Sequence, residues 1–132
     1  MLDHLCITVS DLIRSKNFYA RALAPLGYRI IIDRTEATGF GIVAGTLRSR
    51  DPDGDFWIVP GKVDPELVHF AFAAQTHAAV DAFHTEAIAA GGHDNGAPGL
   101  RPRYHPHYYA AFIRDPDGYN IEAVCHNAAQ TF

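Results

Sequence analysis

The chain of 132 residues has no run of lysine or arginine, and its formal net charge is −4. A protein that grips a phosphate backbone needs a clustered basic face, so nucleic acid is excluded as a partner. Long apolar runs are also missing. The N-terminus MLDHLCITVSD is interrupted by Asp3 and His4, and it reads as neither a signal peptide nor a membrane span. Cysteine is scarce, with only Cys6 and Cys125. Two thiols behind such a start point to a reduced, cytoplasmic protein. Histidine, by contrast, is abundant at eight residues, a count that composition alone does not explain.

The sequence repeats itself. Asp51-Pro52-Asp53-Gly54 precedes the apolar run Phe56-Trp57-Ile58-Val59, and Asp115-Pro116-Asp117-Gly118 precedes Ile121, Ala123 and Val124. The two copies lie 64 positions apart, while His4 and His69, and Phe18 and Phe83, lie 65 apart. Such a period implies two modules, 1–62 and 66–127, each too short to be comfortable alone and therefore sharing a core within one domain.

Each module reads as βαβββ, an α+β class. In the first, a β-rich stretch at 2–9 leads to Ser10-Asp11, a helix N-cap. Leu12, Tyr19, Ala22 and Leu23 then recur at helical spacing over 11–24, until Pro25 and Gly27 stop the helix. Strands are expected at 28–33, 39–44 and 55–60, the last two joined by Asp-Pro-Asp-Gly. The second module should place a strand at 67–74, a helix at 77–90 after Thr76, and strands at 108–114 and 119–126. The segment 92–107, with Gly96, Pro98, Gly99, Pro102 and Pro106, reads as a loop holding at most a short strand near 93–95.

Alternation along strands sorts side chains onto faces. His4, Cys6 and Thr8 share one; His69, Ala71 and Ala73 another; Asn120, Glu122, Val124 and His126 a third. The repeat relates His4 to His69 across a pseudo-twofold axis. Glu122 stands in an otherwise apolar strand, where a carboxylate is costly unless paired or bound to a metal. A lone strand histidine is usually structural. Two related histidines with a buried carboxylate instead make a 2-His-1-carboxylate set with coordination positions open to water or substrate. The set suits one divalent ion, iron or a zinc, nickel or manganese type.

His4 with Val9-x-Asp11, Phe18-Tyr19 and Leu26-Gly27 resembles the opening of the glyoxalase / bleomycin-resistance / extradiol-dioxygenase proteins, the vicinal oxygen chelate superfamily. The stretch from Phe112 to Glu122 resembles its closing signature. That resemblance implies two βαβββ modules forming a cupped mixed sheet around a divalent metal, held by His4, His69 and Glu122, and a homodimer. Glyoxalase I-like members add an acidic ligand in the first module. The offset of 64 puts Ile58 there, with Trp57 and Val59 pointing away from it to add apolar surface outside the cup. Ring-cleaving dioxygenases use a tyrosine where this chain has Phe112, and Tyr108 and Tyr109 lie one strand turn earlier.

The segment 100–109 crowds basic, aromatic and imidazole groups between prolines. One reading is a rigid surface loop. The other is a lid over a small-molecule substrate, with Arg101 or Arg103 on a carboxylate or enolate oxygen, His105 or His107 as proton carrier, and Tyr109, Phe112 and His126 at the cleft. Two functions of different class follow: a metal-dependent lyase, isomerase or dioxygenase, or a metal-free binder of the bleomycin-resistance kind.

Overall fold

Both helices begin at a side chain that caps them. Asp11 accepts a hydrogen bond from the backbone N–H of Arg14 ahead of α1 (Leu12–Leu23), and Thr76 accepts from that of Ala79 ahead of α2 (His77–Ala89), each at 3.1 Å. In α1 the buried positions Phe18, Tyr19, Ala22 and Leu23 form one stripe, and in α2 Val80, Phe83 and Ala87 do. The computed structural model describes residues 1–129. It sets these helices against two four-stranded sheets. The first holds β1 (Leu5–Val9), β2 (Arg29–Asp33), β3 (Thr38–Gly41) and β4 (Phe56–Pro60), in the order β1-β4-β3-β2. The second holds β5 (His69–Ala73), β6 (His93–Leu100), β7 (Tyr109–Arg114) and β8 (Asn120–Cys125), in the order β5-β8-β7-β6. The architecture is α+β, two βαβββ modules, as the sequence pattern implies. In each sheet the first and last strands pair in parallel, and the other pairs are antiparallel.

Three details differ from the sequence reading. The eight-residue strand β6 runs through the segment assigned mainly to a loop. It pairs with β7 through His93, Asp94, Gly96, Gly99 and Leu100, slipping register twice where Gly96 and Pro98 interrupt the ladder. Strand β3 stops at Gly41, because Ser49 captures both backbone groups of Ile42: its Oγ accepts from the Ile42 N–H at 2.9 Å, and its N–H donates to the Ile42 carbonyl at 2.8 Å. Asp51–Gly54 therefore closes a longer connection and not a tight hairpin. Gly54 sits at φ 113°, and a Cβ there would lie 2.4 Å from the Phe40 carbonyl oxygen.

The third difference concerns register. Cys6 pairs with Trp57, and Ala71 pairs with Glu122, so both ladders superpose at an offset of 65. Trp57, not Ile58, stands where the second module has Glu122. The cause is one residue fewer between Gly54 and Phe56 than between Gly118 and Ile121. Ile58 is fully buried on the helix side, while Trp57 and Val59 share the opposite face with exposed Cys6 and Thr8. The Trp57 ring lies across Gly39, where a Cβ would approach it to 2.9 Å.

One core serves both modules. Phe56 of β4 meets Phe70 and Phe72 of β5 at ring separations of 5.6 and 5.1 Å. Polar links cross the same boundary. Tyr19 donates to Asp115, the Tyr119 hydroxyl donates to the Thr8 carbonyl at 2.6 Å, and Arg14 pairs with Asp117 at 2.9 Å.

Candidate metal centre

The sheet face turned away from the helices carries His69 and Ala71 on β5, Phe112 on β7, and Asn120, Glu122 and Val124 on β8. Glu122 is 3 % exposed there, between its cross-strand neighbours Ala71 and Phe112. The His69 Nε2 lies 3.5 Å from its Oε2. On the far side of the ring, Nδ1 is 3.0 Å from the Asn120 carbonyl oxygen. A carbonyl can only accept, so Nδ1 carries the proton. In the neutral ring Nε2 then presents a lone pair to a carboxylate oxygen. Two acceptors facing each other with the remote nitrogen held by a carbonyl is the arrangement of imidazole and carboxylate ligands around a shared cation. The donor set thus fits a divalent ion. The ring is steadied by stacking on Phe112 at 6.2 Å.

The other oxygen of Glu122, Oε1, accepts the phenol proton of Tyr108. Burial first, and this bond next, raise the Tyr108 pKa above the usual phenol value, so the hydroxyl keeps its proton. Tyr109 turns the other way. Its hydroxyl donates to Asp81 of α2 at 2.6 Å, its ring stacks on His77 at 3.8 Å, and burial with the Asp81 bond pushes its pKa up to about 12. Tyr109, expected at the site from the sequence, is therefore not part of it. The parity of Phe112, which faces Glu122, selects Tyr108 instead, because Tyr109 shares its parity with the core residues Ala111 and Ile113.

The remaining expected residues fall into three places. Arg101 lies over the Phe112 ring at 5.5 Å, with its guanidinium donating to the Gly99 and Ala97 carbonyls at 2.8 and 2.7 Å. His105 and His126 meet at 2.8 Å between Nε2 and Nδ1, both rings packing on Tyr108. Arg103 lies over exposed Tyr104, and His107 is exposed with its backbone N–H donating to His105 Nδ1 at 3.1 Å. His4 is apart from all of these. Its Nδ1 bonds to the Asp3 carboxylate at 2.8 Å, a contact that raises its pKa, and it borders a cavity of about 150 Å³ with Tyr28, Asp55 and, on β5, Phe70, Ala71 and Ala73. Among the described residues no three acidic, histidine or cysteine side chains of one chain are grouped to hold an ion. Each chain brings together His69 and Glu122 but leaves His4 outside.

Two βαβββ modules with a histidine and a carboxylate facing each other on the open sheet define the class of the molecule. The chain belongs to the Glyoxalase/Bleomycin resistance protein/Dioxygenase superfamily, whose sequence pattern matches residues 1–123. It is similar to a glyoxalase/bleomycin resistance protein from Albidiferax ferrireducens, with 31 % identity, 93 % of this chain and 96 % of that one covered, and a TM-score of 0.73. A lactoylglutathione lyase from Agrobacterium tumefaciens shares the fold at 17 % identity, 95 % and 92 % coverage and a TM-score of 0.62. So does the fosfomycin resistance protein FosX from Mesorhizobium loti, at 17 % identity, 100 % and 93 % coverage and a TM-score of 0.64. No curated protein matches the sequence.

Proposed function

We propose that the protein is a metal-dependent enzyme acting on a small oxygen-bearing substrate, with His69 and Glu122 of one chain and His4 of a second copy as the ligands of one divalent ion per site. The observation that carries this reading is the 3.5 Å approach of His69 Nε2 to Glu122 Oε2 with Nδ1 already committed to a carbonyl. Such an ion supplies Lewis acidity to two adjacent substrate oxygens. The His4 and His69 side chains are 56 and 51 % exposed, so both half-sites are accessible to a partner.

The chain's own residues supply the rest. Phe112 gives an apolar wall beside His69. Arg101, on the opposite flank of Phe112, offers its remaining N–H groups to a carboxylate or enolate oxygen. One strand step beyond Glu122, Val124 and Ala73 floor a groove of about 510 Å³ that ends at His126 and Asn127, a size suited to a small molecule. His105 of the loop meets the end of this groove through His126, and the exposed His107 beside it would carry a proton to or from substrate.

Metal analysis of the purified protein tests this. One divalent ion per chain, lost in His69→Ala and Glu122→Gln, supports the enzyme. A protein that takes up no Mn²⁺, Fe²⁺, Ni²⁺ or Zn²⁺ is instead a metal-free binder.

A further inference from the structure

The two oxygens of Glu122 have different neighbours. Oε1 accepts from the Tyr108 hydroxyl, and Oε2 faces His69 Nε2 at 3.5 Å. Resting on the metal reading above, we propose that Tyr108 is the positioning residue of the centre: its hydroxyl occupies Oε1, so that Glu122 offers the ion Oε2 alone. A carboxylate that binds through both oxygens fills two coordination positions, and one that binds through a single oxygen fills one. The phenol therefore preserves an open position for a substrate oxygen and fixes the carboxylate plane toward His69.

Tyr108 is well held for this task. The Arg101 N–H donates to the Tyr108 carbonyl at 2.7 Å and closes the loop 101–108. The phenol ring packs among Tyr104, His105 and His126 at 4.8, 5.5 and 5.3 Å. The two histidines latch that loop to the end of β8. His105 Nδ1 accepts from the His107 backbone N–H, so the proton of the neutral ring sits on Nε2 and is donated to His126 Nδ1 at 2.8 Å. The same accounting removes this pair as a second ion site, because a metal on His105 Nε2 would require an anionic ring. The latch is a hydrogen bond, and its load is Tyr108.

Tyr108→Phe deletes the hydroxyl and keeps the ring packing. The metal-free parent and variant are titrated with Co²⁺ by calorimetry, and their visible Co(II) spectra are compared. Removing a partner of a metal ligand costs roughly 10- to 100-fold in affinity. We expect Tyr108→Phe to alter the visible Co(II) bands as Oε1 joins the coordination shell, and to change Co²⁺ affinity by about tenfold or more as the carboxylate loses its fixed plane. His105→Ala, which unlatches the loop but keeps the hydroxyl, shifts both readouts in the same direction by less. Parental affinity and an unchanged spectrum in Tyr108→Phe overturn the positioning role, even where Glu122→Gln loses the ion and the metal reading stands. A parent that binds no Co²⁺ removes the metal reading and this role together.

Discussion

Asp115 shows how one residue ties the modules together. It is 2 % exposed, accepts the Tyr19 phenol proton from the other module, and also accepts the backbone N–H groups of Asp117 and Tyr119 at 2.9 Å each. Removing the phenol leaves a buried carboxylate oxygen unpartnered, so Tyr19→Phe should lower the unfolding free energy by about 1–3 kcal/mol in urea denaturation. Burial raises the Asp115 pKa despite these bonds. The folded chain then takes up a proton at a higher pH than the unfolded chain does. Stability contributed by this residue rises as pH falls through the folded value, and it is at its lowest above that value. Other carboxylates oppose this in acid, so the useful quantity is a difference. The melting temperature of the parent minus that of Asp115→Asn should grow between about pH 7 and about pH 4, and a flat difference would rule the titration out. That Asp115 and Asp117 join the modules was not visible in the sequence, where the Asp-Pro-Asp-Gly copies read as plain turns. Turn chemistry explains the local bonds but not the arrival of Tyr19 and Arg14 from elsewhere in the chain.

At the scale of elements, alternation on β5 and β8 carried His69 and Glu122 to one face without any knowledge of the third dimension. It failed where the ladder is irregular. Gly96 and Pro98 disguised β6, and a single missing residue after Gly54 moved Trp57 into the place assigned to Ile58. Both are faults of register, which pattern reading fixes poorly wherever a bulge or deletion intervenes. The irregularity of β6 has a use. Gly96 sits at φ 151°, and a Cβ there would lie 3.0 Å from Phe112 Cδ2 and 3.4 Å from a terminal guanidinium nitrogen of Arg101. Gly96→Ala should therefore strain the backbone and displace both Phe112 and Arg101, costing roughly 1–3 kcal/mol. Because Phe112 stacks on His69, ligand affinity should drop with stability. A Gly96→Ala protein that melts and binds like the parent would show β6 to be irrelevant to the site.

For the whole molecule the decisive question is how His4 would reach the other two proposed ligands, since the sequence relates it to His69 but leaves open whether they meet within one chain or between two. Pseudo-twofold symmetry relates β1 to β5 equally well within one chain or between two. Within one chain, however, His4 is bonded to Asp3 and forms no three-ligand group with His69 and Glu122. In a twofold dimer each site would draw His4 from one copy and His69 with Glu122 from the other. Two disabled proteins can then repair one another. His4→Ala lacks the first half of every site, and Glu122→Gln lacks the second. In a mixed dimer, one site combines the intact His4 of the Glu122→Gln copy with the intact His69 and Glu122 of the His4→Ala copy, while the other site carries both lesions. Random reassortment makes half of the dimers mixed, so roughly a quarter of all sites should regain metal after the variants are unfolded and refolded together. Each variant refolded alone should stay empty. Metal uptake that stays at zero in the mixture, with dimers confirmed by sedimentation, would place all three ligands in one chain and require His4 to break from Asp3 and travel to Glu122 on binding the ion.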